Sequence, residues 1–464
     1  MQLSARNKEL FRNTFLFAIS NFASKLLVFL MIPLYTSVLS TEDYGLVDII
    51  STTVLLLLPI FTLTIAEGVL RYCLTGKEHA NDYLTIGLKI TTLGCLVVLV
   101  FAFPVVYFFK LNTFYYFIPI IFLTQSYSRL FGRFARGIDK VRNVAVAGVL
   151  ETFTIVTCNL LLLLVFEFGV MGYLLSMVAG YSVSCIYLFI SCRISQYISL
   201  KTYNRGQVIE LCKYSTPLIP NQLCWWLIDS FSKYILIFFI GYAGVGIYTA
   251  AFKFPTVLNV IASFFIDAWL LSVVKEYEKP DSKDYIRKVY GYFSFLMMAT
   301  ALIITCLSKE IAQVFLKGEF YNGYIYIPLM CLTAAVGGMF TFFATIFSSE
   351  KKTYLNLIPT TIGAVVVIIL SYILVPRIEV MGVVIATLVG YLVIWVLCFV
   401  LTDRIVQWRL KWYIIVFELI LSMISIVCAM QDMVYVSYVC LLVYVLINWS
   451  KIKEILSLVT KRNQ

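Results

Sequence analysis

Long apolar runs follow one another along the whole chain, each bounded by charged or turn-forming residues. A helical run of about 20 residues matches the hydrocarbon thickness of a bilayer. Backbone groups in hydrocarbon find no water, so such a run must satisfy its own hydrogen bonds, and a helix does so. Fourteen segments are readable, at 14–38, 46–66, 86–109, 114–131, 144–166, 170–192, 214–239, 245–271, 289–308, 324–347, 355–375, 380–402, 412–430 and 433–449. The expectation is an all-α polytopic membrane protein. Composition decides against the rivals: 61% of residues are hydrophobic and 13% charged, against about half and about a quarter in a soluble protein. That excludes a soluble enzyme and a disordered chain. Twelve cysteines include no C-x-x-C pair, so they read as small apolar packing residues. A single histidine, His79, excludes a histidine-rich metal site. The run at 14–38 is too long for the core of a signal peptide and ends without a small-x-small cleavage site.

Charge fixes an orientation. Of 36 Lys and Arg, 29 fall on one side of these spans, 4 on the other and 3 inside them. Basic loops stay in the cytoplasm, so both termini are expected there. One missed helix would scramble this alternation, which supports the count of fourteen.

An internal repeat is also legible. Val170-Met171-Gly172 opens span six and Val380-Met381-Gly382 opens span twelve, with Gly180-Tyr181 and Gly390-Tyr391 at the same offset of 210. Spans 1–6 and 7–12 therefore read as tandem six-helix lobes of one topology, with the binding site expected between them. The expected organisation is an N-terminal lobe at 1–200, a C-terminal lobe at 201–403, and two added spans with a tail at 404–464.

Several residues resemble a known family. Arg12-Asn13-Thr14, the first span with Pro33, and Leu39-Ser40-Thr41-Glu42-Asp43-Tyr44-Gly45 resemble the start of Wzx-type oligosaccharide flippases. These are polysaccharide transporters of the MOP (multidrug/oligosaccharidyl-lipid/polysaccharide) superfamily. The local motif is the L-S-x-x-x-Y-G turn between spans one and two; the rest of the likeness is length and the 6+6+2 arrangement. The resemblance implies a substrate built on undecaprenyl pyrophosphate, moved from the cytoplasmic to the outer leaflet of the bacterial cytoplasmic membrane. It implies a monomer with no nucleic acid, no resident cofactor, H⁺ or Na⁺ as the coupling ion if there is one, and polysaccharide polymerase and export machinery as partners.

Ionisable residues inside spans are costly and usually face a cavity or a partner. Lys25 sits mid-way along span one, where no acid can neutralise it, and Asn21 lies one turn earlier. It reads either as a cavity cation for a diphosphate or as a packing lysine paired with an acid elsewhere. Asn221, Trp225, Asp229 and Lys233 recur every four residues along span seven and form one stripe. Its readings are a cavity wall with aromatic platforms for sugars, or an i,i+4 ion pair of Asp229 and Lys233 with tryptophans in packing. Pro217 and Pro220 loosen the first turns. Lys253 in span eight extends a cationic path or pairs with an acid, and Pro255 offers a bend. Asp48, Glu151 and Asp267 are candidate coupling acids. Glu67 and Arg71 are spaced as an i,i+4 interfacial pair. The row Arg129, Arg133, Arg136 reads as an anchor on the basic side, with attraction of anionic head groups as its alternative.

A MATE-like cation exporter would want acids rather than Lys25 at the heart of span one. A lipid II flippase is a closer rival because it too carries a diphosphate. A membrane glycan polymerase is disfavoured by short outer connections, and no nucleotide-binding G-x-x-x-x-G-K-[ST] motif is present.

Overall fold

The structure, a computed structural model, describes residues 26–27, 29–75, 79–199, 205–276, 282–350, 353–408 and 412–454. Among them the secondary structure is helical, with no strand. Each of spans two to fourteen falls on a helix, and the described end of span one is the helix Ile32–Val38. Among the described residues eight helices are long and apolar enough to cross a membrane, nine when the bent pair Tyr242–Phe252 and Thr256–Asp267 is taken as one span. Apolar side chains remain exposed along their outer faces, as at Leu93, Val100 and Phe108. Exposed apolar surface of that extent on helices long and apolar enough to cross a bilayer belongs against lipid. The chain is a multi-pass membrane protein.

The L-S-x-x-x-Y-G turn works as a helix start. Ser40 caps Thr41–Phe61: its hydroxyl accepts from the Asp43 amide at 3.0 Å, and the Ser40 amide donates to the Asp43 carboxylate at 3.4 Å. This reciprocal box satisfies two of the amides that a helix start leaves unpaired. Tyr44, buried just beyond it, stacks on Tyr35 with ring centroids 6.0 Å apart.

Several spans are interrupted. Span two breaks at Thr62–Thr64 and resumes as Ile65–Thr75, with Leu63 and Thr64 at φ 52° and 50°. Left-handed backbone at a β-branched residue is costly, and here the Thr64 hydroxyl is pinned to the Ser215 carbonyl at 2.6 Å. Span seven runs from Arg205 to Ile240, broken at Thr216–Pro217 and opened into a wider turn over Leu227–Phe231. Span eight bends by 46° at Lys253–Pro255, where Pro255 allows it. Spans eleven and twelve form a hairpin within Leu357–Val406, reversing at Ile378–Glu379.

The chain divides into two compact units, Met1–Trp226 and Leu227–Gln464. In the first, span four (Phe117–Gly137) packs on Ile65–Thr75 and on span six (Gly169–Ser191), around a core that includes Val69, Leu130, Phe134, Leu188 and Leu211. In the second, spans nine (Ser282–Cys306) and ten (Ile327–Ser349) hold an aromatic core. Trp269 stacks on Phe342 at 4.9 Å and donates its N–H to Thr345 at 2.9 Å. Spans thirteen and fourteen pack against span nine.

Candidate functional site

In the first unit, span five (Val141–Asn159) carries Glu151 to the neighbourhood of spans four and six. The Ser128 and Ser184 hydroxyls lie near its carboxylate, Ser128 donating to Ser184 at 3.0 Å. Beside them the Tyr181 hydroxyl accepts from Gln125 Nε2 at 3.2 Å. Two turns beyond Glu151, the fully buried Asn159 donates to Tyr35 at 3.0 Å and accepts from Ser176 at 2.8 Å. Tyr35 meets the edge of Tyr173 at 5.0 Å, and Asp48 is near enough to Tyr44 to act on it electrostatically. Buried polar groups persist in such a place only when satisfied by one another. These two clusters follow one another along spans four to six.

Towards the basic side of the same unit, Glu67 pairs with Arg133 at 2.8 Å, both side chains being half-buried. This corrects the expected pair with Arg71: the partner comes from span four, not from the next turn of the same helix. Arg129 and Arg136 sit in the field of the same carboxylate.

In the second unit, Asp229 lies in the wider turn Leu227–Phe231 and accepts from the Tyr391 hydroxyl at 2.7 Å. Lys233 acts on that carboxylate electrostatically. The Ser232 and Ser371 hydroxyls meet at 3.2 Å. Lys253 stands at the bend of span eight, half-buried, where its carbonyl accepts from the Thr256 hydroxyl. Asp267 is exposed on the same span. A cavity of 510 Å³ is lined by Arg287, Tyr290, Trp395, Glu418 and Lys451 among others, and Asn448 donates to Glu418 at 2.9 Å.

The expected site residues are thus brought together in part. Asp229 and Lys233 act on each other, with Tyr391 as the partner that spacing along one helix could not supply. Asn221 is exposed and Trp225 half-buried, while the neighbouring Trp226 spends its indole N–H on the Thr52 carbonyl at 3.0 Å. Lys25 and Asn21 lie outside the described residues. Sequence reasoning missed Ser128, Ser184, Tyr181 and Tyr391. The two tyrosines carried a signal, since each follows the glycine that marks the repeat.

The fold agrees with the comparisons to known proteins. The family model described as polysaccharide biosynthesis protein matches residues 10–270. No curated protein matches the chain. Among solved structures, an inward-facing multidrug resistance MATE family transporter of the MOP superfamily is similar at a TM-score of 0.67 and 13% identity, over 84% of this chain and 98% of its own. The lipid II flippase MurJ, in an inward closed conformation, is similar at 0.67 and 13%, over 94% of this chain and 100% of its own. A MOP superfamily transporter from Pyrococcus furiosus, noted for the reversed polarity of its binding pocket, is similar at 0.62 and 14%, over 85% and 95%. At these identities the likeness shows the fold. The family model covers more than half of the 464 residues, and the chain belongs to the polysaccharide biosynthesis protein family, built on the fold of the MOP transporters.

Proposed function

We propose that the chain is a flippase for undecaprenyl-pyrophosphate-linked oligosaccharide, the repeat unit of an O-antigen, capsule or exopolysaccharide. It works in the bacterial cytoplasmic membrane, with its basic side and both termini in the cytoplasm, by alternating access of its two lobes. The observation that carries this reading is the family match over residues 10–270. Cations support it: Lys25, Lys233 and Lys253 lie within apolar segments, where each is expensive and where a diphosphate would meet them favourably. Neutralising that diphosphate lowers the cost of carrying it through hydrocarbon. Of the candidate coupling acids, we assign Glu151 the role, because it lies beside the polar cluster of Ser128, Ser184, Gln125 and Tyr181 on spans four and six.

The test is translocation of the lipid-linked oligosaccharide in proteoliposomes by wild type, Lys25→Ala and Lys233→Ala, each first shown to fold. Loss of translocation in either variant places a cation in the path. Unchanged translocation in both makes these lysines structural and removes the cationic-path assignment. The likeness to a MATE transporter favours a second reading, a cation-coupled exporter of small molecules, which predicts transport of organic cations by the wild type instead.

A further inference from the structure

We infer that the cleft between span nine and the added spans thirteen and fourteen holds a membrane phospholipid whose head group carries both a phosphate and a primary ammonium. This lipid is a resident of the second unit and not the cargo, so the site stands whether or not the flippase reading does.

The shape of the cleft comes first. Arg287, Gly291, Ser294 and Met298 of span nine line the 510 Å³ cavity. Their spacing puts them on one stripe of the helix. At 1.5 Å per residue the stripe runs about 16 Å, from a guanidinium at the basic end, past a hydroxyl, to a thioether. Glu418 and Leu419 of span thirteen (Trp412–Met430) line the same space. Leu392 and Leu419 also line a second cavity of 450 Å³, which continues along Met423 and Val427 and whose described lining is apolar throughout. A polar end joined to an apolar channel has the profile of a lipid.

Gly291 comes second. Glycine is among the poorest residues for a helix interior, yet it stands inside Ser282–Cys306. A Cβ there would meet nothing within 4 Å, whereas Gly363 and Gly390 of the same unit are each fixed by close neighbours. No neighbour demands a glycine at 291; its effect is to keep the cleft open.

Charge comes third. The cavity lining holds three bases, Arg287, Lys288 and Lys451, and three acids, Asp284, Glu418 and Glu454. A basic pocket selects anionic head groups; a balanced one suits a zwitterion. The Arg287 side chain, 14% exposed, bonds Asp284 through Nη1 at 2.5 Å and donates from Nη2 to the Val406 carbonyl at 2.8 Å. Its Nε is buried and has no hydrogen-bond partner among the described residues. A buried donor without a partner is costly, and a phosphoryl oxygen is a strong acceptor for a guanidinium N–H. Asp284 is 77% exposed, and Glu454, paired with Lys288, is 43% exposed. A carboxylate offers about four lone-pair sites, so each, though paired, still accepts from an ammonium. A choline head group has no N–H to give them. Glu418 is already engaged, accepting from Asn448 at 2.9 Å and lying in the field of Lys451.

The test adds phosphatidylethanolamine, phosphatidylcholine or phosphatidylglycerol to the delipidated full chain in detergent and measures retained lipid by native mass spectrometry. The wild type should retain phosphatidylethanolamine about tenfold more tightly than either of the others, the worth of a charge-assisted bond. Arg287→Gln should weaken that retention by about tenfold for the same reason. Gly291→Leu should fill the cleft and lose the lipid, while its unfolding midpoint without lipid stays at or above that of the wild type, since leucine is the better helix former. Retention by Gly291→Leu equal to that of the wild type would overturn the site. Equal retention of the three lipids, or a preference for phosphatidylglycerol, would overturn the head-group assignment on the wild type alone, with no variant needed. Displacement of bound phosphatidylethanolamine by an equal concentration of undecaprenyl phosphate would give the cleft to the cargo and overturn the resident lipid.

Discussion

The hairpin of spans five and six and the hairpin of spans eleven and twelve are built alike and equipped differently. In the first, a Cβ on Gly180 would overlap Ile155 and stand 3.0 Å from the Glu151 carbonyl. In the second, a Cβ on Gly390 would overlap Val367 and stand 3.2 Å from the Gly363 carbonyl. The two glycines are 210 residues apart and their partners 212 apart, so the second hairpin has two fewer residues between its paired positions than the first. The same close approach of backbones needs a glycine in both. What hangs on the shared backbone diverges: Glu151 answers to Gly363, and the fully buried Asn159 answers to the fully buried Ser371. The tyrosine after each glycine survives, yet it finds its acid in different places. Tyr181 lies beside Glu151 of its own hairpin, whereas Tyr391 bonds Asp229 of span seven. Close packing of the backbone carries the repeat; the polar chemistry is particular to each unit.

The comparison can be broken at its shared part first. Gly180→Leu and Gly390→Leu should both destabilise strongly, at or beyond the upper end of the about 1–3 kcal/mol of overpacking, because backbone carbonyls cannot move aside. Thermal unfolding in detergent should show similar losses for the two; a tolerated substitution at either site would end the equivalence.

The acids come next. Glu151→Gln should abolish the dependence of transport on a proton gradient, read as flux in proteoliposomes with and without a pH step. Asp229→Asn should slow flux without removing that dependence. The reverse pattern would hand the coupling role to the second unit.

The tyrosines sharpen the contrast. Tyr391→Phe removes a bond to a carboxylate, worth about 1.5–3 kcal/mol. Tyr181→Phe removes a neutral bond from Gln125, worth about 0.5–1.5 kcal/mol. Unfolding midpoints should rank the variants in that order. Ser40→Ala should follow, at about 1 kcal/mol for a lost cap.

The smallest effect is expected at the end of the chain. Lys288 and Glu454 form an exposed ion pair, and the Lys288 ammonium holds the Glu454 carboxyl below its ordinary range. A depressed carboxyl contributes above its unfolded pKa and loses that contribution as pH falls through the lowered value. Glu454→Gln should therefore differ little from wild type near neutral pH, and not at all in acid, when the two melting curves are compared.

Much of the fold was legible because lipid imposes a simple rule: apolar, helical and about 20 residues long. Span boundaries, the alternation of basic loops, the bend at Pro255 and the glycines of the repeat all followed from local sequence. The breaks did not. Leu63 and Thr64 are poor residues for left-handed backbone, and the tie that holds them there comes from Ser215, distant in sequence. The pair of Glu67 with Arg133 was hidden for the same reason, since i,i+4 spacing sees only one helix. The arginine row was visible as a row.

The central claim is that this chain moves a glycan carried on a prenyl diphosphate. The most direct measurement offers one set of proteoliposomes three cargoes in parallel: undecaprenyl-diphosphate-linked oligosaccharide, lipid II and an organic cation. The account predicts that the wild type moves the lipid-linked oligosaccharide and leaves the organic cation behind. Movement of the cation alone would contradict it.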